Sequence, residues 1–221
     1  MRRSDLERLE RIQSKALKRM FDLPQGTPYW GMLAETGIWP LQSAVEYHRL
    51  MFYQKALTDV DSLSAKIIED QDEMAAETWT SETKRIGRKY NLDMTIQNIK
   101  RKKKSEWKRQ VKEGIRNDIE SQWQEKAENM RKLRHLRQSK SEQKQYLKEA
   151  TSSEAADILQ MRLEMFDIGN NQGRSRICIC GQPENLEHIV TCRKVAERYK
   201  TIVEGMDVAN DDKRMLKETV E

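Results

Sequence analysis

The chain has 221 residues, of which 35% are charged and 37% hydrophobic, and its net charge is +5. This low apolar content allows one or two small domains with a modest core, and the scarcity of glycine and proline opposes a turn-rich β protein. No stretch approaches the roughly 18 consecutive apolar residues that span a bilayer, and no apolar segment follows the N-terminal residues, so we expect no membrane partner and an intracellular protein, nuclear or cytoplasmic.

The N-terminal segment, residues 1–60, predicts a compact unit of three helices. A capping box over Ser4–Glu7 begins the first helix, and a turn cluster at 23–28 ends it. A short helix follows over about 29–36, because Gly37 suits the left-handed position after a helix. The third helix has an apolar stripe that we interpret as its core face. That stripe consists of Leu41, Ala44, Val45, His48, Met51, Phe52 and Leu57.

The middle segment, residues 61–150, predicts a charged linker and a long helix. Before the long helix we expect a loop over 58–77 with a short helix near 64–69, and another short helix over 78–90. A polar linker is expected over 137–145.

The long helix is predicted to start at about Glu106, with Ser105 as its N-cap, and to run past Leu133. Its apolar stripe consists of Trp107, Val111, Ile115, Ile119, Trp123 and Met130. Trp107 could stack on a nucleic-acid base, but its place on the stripe favours burial in a core. Gly114 should weaken the helix by about 1 kcal/mol relative to alanine.

Positive charge is concentrated in the middle of the chain. Residues 84–116 contain thirteen Lys or Arg against three acidic residues. Five of these cations are consecutive, Lys100, Arg101, Lys102, Lys103 and Lys104, and Lys108 and Arg109 follow them. Adjacent cations repel one another and are stabilised by an anionic partner, so this pattern indicates binding to a polyanion such as RNA or DNA. A solvated helix face is the alternative interpretation.

The C-terminal segment, residues 151–204, predicts a helix followed by a metal knuckle. Ser152 or Ser153 is expected to cap the helix, which should stop near Gly169. A further helix is expected to run to about Glu204, and residues 205–221 should form a frayed tail.

All three cysteines and one histidine lie within fifteen residues, as Cys178, Cys180, His188 and Cys192. Three thiolates and one imidazole form a complete ligand set for one structural zinc ion, with no open position for catalysis. Gly181 permits a tight turn after Cys180, and the four-residue spacing of His188 and Cys192 places them on one helical face. Two alternatives remain: buried free cysteines, or one disulfide with a free thiol. Arg174, Arg176, Arg193 and Lys194 flank the knuckle and could grip phosphate.

Several short segments, in this order, carry a family resemblance. They are Leu9–Gln13, Leu23–Pro24, Thr27–Pro28, Glu35–Leu41, Ser105–Lys108, Val111–Lys112 and Met161–Leu163, followed by the four Cys and His residues. The order resembles the C-terminal region of the reverse transcriptases of LINE-type non-LTR retrotransposons, from the segment after the polymerase thumb to the terminal zinc knuckle. That family usually places two residues between its first two cysteines, whereas here only Ile179 lies between them.

The resemblance implies a mainly α fold and a non-catalytic role in binding template RNA and target DNA, alongside the rest of a reverse transcriptase polyprotein. No Tyr-x-Asp-Asp motif of a polymerase palm is present, and no endonuclease, nucleophile-elbow or phosphate-loop signature is found, so we do not expect an enzyme. The alternative is a helical protein-interaction module in which the zinc knuckle only staples the C-terminal end.

Overall fold

The computed structural model describes residues 3–59, 62–74, 77–130, 133, 136, 139–163, 165, 177–178, 180–183, 188 and 192. The prediction of a mainly α fold is confirmed. The helices of the described residues are α1 (Arg3–Met20), α2 (Tyr29–Thr36), α3 (Leu41–Thr58), α4 (Leu63–Glu73), α5 (Trp79–Lys89), α6 (Ile96–Arg101), α7 (Lys104–Asn129), α8 (Tyr146–Glu149) and α9 (Ser152–Arg162). None of them is long and apolar enough to cross a membrane.

These helices form two compact units, each with its own hydrophobic core. The first unit contains the described residues of Met1–Leu6 and Trp39–Gln122, and the second contains Glu7–Ile38 with the described residues from Trp123 onward. Each unit therefore has a core of its own. The boundary falls inside α7, which contributes residues to both units.

In the first unit, α7 presents its predicted apolar stripe to the core. Trp107, Val111 and Ile115 have no exposed surface, and the indole N–H of Trp107 donates to the backbone oxygen of Leu50 on α3 at 3.2 Å. The prediction that Trp107 is a core residue is confirmed. Met130, the last residue of the predicted stripe, lies beyond the helix and is 36% exposed.

The predicted core face of α3 is only partly confirmed: Leu57 is buried and Met51 packs against the core of the first unit. Val45, His48 and Phe52 are exposed. The buried face of the helix consists of Ser43, Glu46, Leu50, Tyr53, Gln54, Ala56 and Leu57. Polar residues can be buried there because they have partners: Glu46 accepts from the Tyr90 hydroxyl, and Gln54 Nε2 donates to the backbone oxygen of Lys102 at 3.1 Å.

In the second unit, a buried ion pair joins α2 to α9. Glu35 has no exposed surface, and its carboxylate accepts from Arg162 Nε at 2.6 Å and Nη2 at 3.1 Å. The hydroxyl of Tyr146 on α8 donates to the same carboxylate at 3.0 Å. Hydrogen bonds to charged groups are the strong ones, so this arrangement fixes α2 against α8 and α9, which lie more than a hundred residues later in the sequence.

Several predicted helix ends differ from the structure. Ser4 and Ser105 lie inside α1 and α7 and cap neither, and α7 ends at Asn129, short of Leu133. Helix α4 extends from Leu63 to Glu73 and is longer than predicted, while α6 and α8 were not predicted. Thr151, not Ser152 or Ser153, caps α9 by accepting from the backbone N–H of Glu154.

The predicted left-handed Gly37 after α2 is confirmed, with φ of 66°. Helix α9 ends at Arg162, and the tail at 205–221 lies outside the described residues.

Candidate metal centre and nucleic-acid interface

A tight backbone turn positions the first two cysteines. Ile177 and Pro183 form an antiparallel bridge, the Cys178 N–H donates to the Gln182 oxygen at 2.8 Å, and the Gly181 N–H donates to the Cys178 oxygen at 2.8 Å. Gly181 has φ of +91°, which a residue with a side chain rarely adopts. The predicted turn at Gly181 is therefore confirmed, and it places Cys178 and Cys180 on one small loop.

His188 and Cys192 are separated by one helical turn. The Cys192 N–H donates to the His188 oxygen at 2.8 Å, which is the hydrogen bond of an α-helix. The two side chains therefore share a face, as their spacing predicts.

The four side chains converge on one point. Their ligand atoms all lie within 4.8 Å of one another. The Cys178 and Cys192 sulfurs are 3.8 Å apart, and the Cys180 sulfur is 3.0 Å from His188 Nε2. Two sulfurs bound tetrahedrally at about 2.3 Å from one ion would be about 3.8 Å apart, so the first distance suits a shared ion. This group could hold one metal ion.

The local environment favours a thiolate at Cys180. A backbone hydrogen bond from Gln182 lowers the pKa of the Cys180 thiol, and contacts with the Cys178 and Cys192 sulfurs act in the same direction. Metal ligands must be deprotonated, so a lowered thiol pKa helps the site to take up an ion. None of the three cysteines forms a disulfide.

Of the five consecutive cations at 100–104, two make contacts within the protein and three are exposed to solvent. Lys100 forms an ion pair with Glu69 at 2.5 Å. Lys102 donates to Gln110 Oε1 at 2.6 Å and its ammonium lies 5.7 Å from the centre of the Trp107 ring. Arg101, Lys103 and Lys104 are exposed and form no side-chain hydrogen bond or ion pair with other described residues. The run is therefore only partly available to an external anion.

Three other cations of residues 84–116 also form ion pairs within the first unit. Lys84 pairs with Asp72, and Arg85 pairs with Glu82 at 2.7 Å. Lys89 is 3.3 Å from Glu46 and 3.1 Å from Asp118. Much of the local charge excess before α6 is thus compensated by acidic residues.

The uncompensated cations concentrate on the solvent side of α7. We define the basic face as Lys108, Arg109, Lys112 and Arg116, which line a surface depression of about 570 Å³ with Ser105, Glu113 and Asn117. Lys112 is half-buried and the other three are exposed. None of the four forms an ion pair with a described carboxylate, so this surface is positively charged.

Sequence reasoning named Lys108 and Arg109 but missed Lys112 and Arg116. The missing signal was available: residues four apart lie on one side of a helix, and Lys108, Lys112 and Arg116 have that spacing opposite the Trp107 stripe. The prediction used the run of consecutive cations at 100–104 and did not use the helical spacing of Lys112 and Arg116.

The remaining predicted phosphate contacts, Arg174, Arg176, Arg193 and Lys194, lie outside the described residues.

Comparisons with protein families, with curated proteins and with solved structures found no match.

Proposed function

We propose that this chain is a non-catalytic nucleic-acid-binding module that grips the phosphate backbone of RNA or DNA with the basic face of α7. The observation that supports the proposal is the difference between cations that form ion pairs and cations that do not. Lys84, Arg85, Lys89 and Lys100 are paired with acidic residues. The four cations of the basic face form no ion pair with a described carboxylate, and one carboxylate, Glu113, lies among them.

Binding would be driven mainly by the release of counterions. A side chain that neutralises a phosphate frees condensed cations from the nucleic acid, so affinity falls as salt rises. Lys108, Lys112 and Arg116 follow one another at four-residue intervals, a rise of about 6 Å per step along the helix. Such a row can follow successive phosphates of one strand. Arg101, Lys103 and Lys104 lie at or just before the start of the same helix and extend the charged surface.

The contact would be independent of base sequence. Trp107 and Trp123 have no exposed surface, and their indole N–H groups donate to the backbone oxygens of Leu50 and Ser139. Helix α7 therefore offers no aromatic ring for base stacking. Phosphate contacts position a protein on nucleic acid without reading its sequence.

The Cys178, Cys180, His188 and Cys192 group would hold zinc in a structural role. Three thiolates with one imidazole match the ligand preferences of Zn²⁺, and four protein ligands leave no position for a reacting water. When bound, the ion supplies folding energy to a short segment that has few apolar residues.

The resemblance to the C-terminal region of LINE-type reverse transcriptases agrees with this proposal. In that setting the module would work beside a polymerase elsewhere in the same polyprotein, holding template RNA or target DNA without performing chemistry. An intracellular location, nuclear or cytoplasmic, would follow.

The test compares two variants of equal charge. The first replaces the basic face, as K108Q/R109Q/K112Q/R116Q. The control replaces four exposed lysines elsewhere, as K55Q/K66Q/K140Q/K148Q. We expect the first variant to lose at least about tenfold in affinity for duplex RNA and DNA of unrelated sequences at low salt, and the control to lose much less.

Fluorescence anisotropy with labelled duplexes measures both affinities, and circular dichroism checks that both variants keep their helix content. An equal loss in the two variants would show that only net charge matters. The proposal fails outright if the unmodified chain binds neither RNA nor DNA at low salt.

A further inference from the structure

One face of α1 is apolar and open to solvent. Leu9, Ile12 and Met20 are 41%, 56% and 68% exposed, and Ala16 between them is also exposed. Their spacing of three, four and four residues keeps them on one side of the helix. We call these four residues the apolar strip.

The apolar strip is not the face with which α1 packs on its own unit. That face contains Leu17, which is 3% exposed and belongs to the core of the second unit, and the half-buried Gln13, which accepts from the Tyr29 hydroxyl. Phe21 is half-buried on the same side and packs against that core. Helix α1 therefore has two apolar faces, and among the described residues only the face that contains Leu17 packs against the core.

A row of cations borders the apolar strip on its outer edge. Arg8, Arg11, Lys15 and Arg19 precede Leu9, Ile12, Ala16 and Met20 by one residue each, and all four are exposed. Arg11 Nε donates to the backbone oxygen of Glu7 at 3.3 Å, and no carboxylate among the described residues pairs with any of the four. The border is thus a basic surface whose cations form no described ion pair, with the exposed Asp5 and Glu7 near its N-terminal end.

We propose that the apolar strip and its basic border form a docking surface for an acidic amphipathic helix of a partner protein. Leu9, Ile12 and Met20 would receive the apolar side chains of that helix, since spacings of three and four residues match the anchor positions of helix-in-groove recognition. Its carboxylates would face the basic border. This inference does not depend on nucleic-acid binding by α7.

Charge and geometry favour this occupant over two others. A second copy of the chain would bring the same uncompensated cations to the interface, and like charges oppose association. An anionic bilayer would suit a strip flanked by cations on both sides, whereas here one flank is the packed face that contains Leu17. An acidic amphipathic helix can pack its apolar side chains on the apolar strip and pair its carboxylates with the cations along the one charged edge.

The test uses the full chain and two labelled helical peptides of three heptads, with leucine at positions a and d. One peptide has glutamate at positions e and g, and the other has lysine there. We expect the glutamate peptide to bind at micromolar concentration and the lysine peptide to bind at least about tenfold more weakly, a difference of about 1.4 kcal/mol.

Variants assign the binding to α1. Ile12→Ser with Met20→Ser should lower affinity for the glutamate peptide at least about tenfold, or about 1.4 kcal/mol. Arg8→Glu with Lys15→Glu should reverse the preference between the two peptides. The matched control is Leu63→Ser on α4, since Leu63 is 72% exposed. These side chains contribute little to a core, so all variants should keep their helix content.

Three outcomes overturn the inference. The first is equal binding of the two peptides, or none at high concentration. The second is self-association of the chain, measured by sedimentation, that Ile12→Ser abolishes. The third is binding to phosphatidylserine vesicles that Ile12→Ser abolishes while the peptide does not bind. Loss of nucleic-acid binding in the basic-face variant has no bearing on any of them.

Discussion

Glu35 shows how a single residue can organise a unit without any signal in its surrounding sequence. Its carboxylate is fully buried and accepts three hydrogen bonds, from Arg162 and Tyr146. A charged residue near the end of a short helix normally faces solvent, so nothing local predicts its burial. Its partners lie more than a hundred residues further along the chain, and only the folded structure brings them together.

Removal of one partner should therefore be costly. Arg162→Met leaves the Glu35 carboxylate buried with Tyr146 as its one side-chain donor among the described residues, and we expect a loss of about 3–5 kcal/mol in the free energy of unfolding. Urea denaturation followed by circular dichroism measures it. Arg85→Met is the matched control, because Arg85 forms an exposed bidentate pair with Glu82 and should change stability little. Similar losses in the two variants would contradict the role assigned to Glu35.

Gly114 is a second residue whose role differs from its sequence-based expectation. Its place in a helix suggests that alanine would stabilise the chain. A Cβ atom there would lie 2.7 Å from the backbone oxygen of Tyr90 and 3.0 Å from its Cβ. The absence of a side chain lets α7 approach the end of α5, so the glycine is needed for packing rather than tolerated.

We expect Gly114→Ala to lower the melting temperature, although alanine gains about 1 kcal/mol in helix propensity. Asn117→Ala is the control one turn further along α7, where the side chain is exposed and the gain in propensity should raise the melting temperature slightly. Thermal denaturation of both variants provides the comparison. A stabilised Gly114→Ala would show that the contact with Tyr90 can relax at no cost.

At the scale of elements, apolar periodicity predicted the helices better than it predicted their faces. The stripe of α7 is uninterrupted from Trp107 to Trp123, and its burial was predictable for that reason. The stripe of α3 was not, because the buried side uses Glu46 and Gln54. These two polar residues find hydrogen-bond partners on distant elements, and a periodicity argument assigns them to solvent.

The start of α9 is fixed by an N-cap hydrogen bond that several neighbouring residues are able to form. Thr151, Ser152 and Ser153 are all suitable caps by residue type. The structure selects Thr151 because Glu154, three residues later, returns a contact to its backbone and completes the capping box. Helix α6 has only six residues, too few for a periodic pattern.

The knuckle is the element whose stability we expect to depend on a metal. The purified chain should contain one zinc ion, and Cys192→Ser should lower its metal affinity strongly because one of four ligands is lost. Treatment with a chelator should increase hydrogen exchange of the Cys178 and Gly181 amides, whose hydrogen bonds hold the turn.

The amide of Leu50 in α3 is the internal reference, since that helix belongs to the first unit and should keep its protection. A full complement of zinc in Cys192→Ser, or unchanged exchange at Gly181 after chelation, would argue against a metal-held turn.

At the scale of the whole molecule, composition predicted little core and much charge, but not how either is distributed. The structure has two cores, and one of them combines α1 and α2 with residues from the second half of the chain. Contiguous segments of sequence do not reveal such a grouping. The overall charge of +5 likewise hides the difference between cations paired in α5 and cations exposed on α7.

The four candidate metal ligands, by contrast, could all be identified from the sequence. Cysteine and histidine are scarce in this chain, so their clustering is informative, and the ligand spacing directly determines a short turn and a helical face. The basic face was only half predicted, because identifying it requires knowing which side of α7 is buried.

The salt dependence of nucleic-acid binding counts the phosphate contacts made by the basic face of α7. For a mixed-sequence DNA duplex, the logarithm of the binding constant should fall linearly with the logarithm of salt concentration, and each phosphate contact contributes about 0.9 to the slope. We expect K108Q/R109Q/K112Q/R116Q to flatten that slope by up to about 3.6, whereas K55Q/K66Q/K140Q/K148Q leaves it nearly unchanged. A slope that is the same in all three proteins would contradict the assignment of phosphate binding to α7.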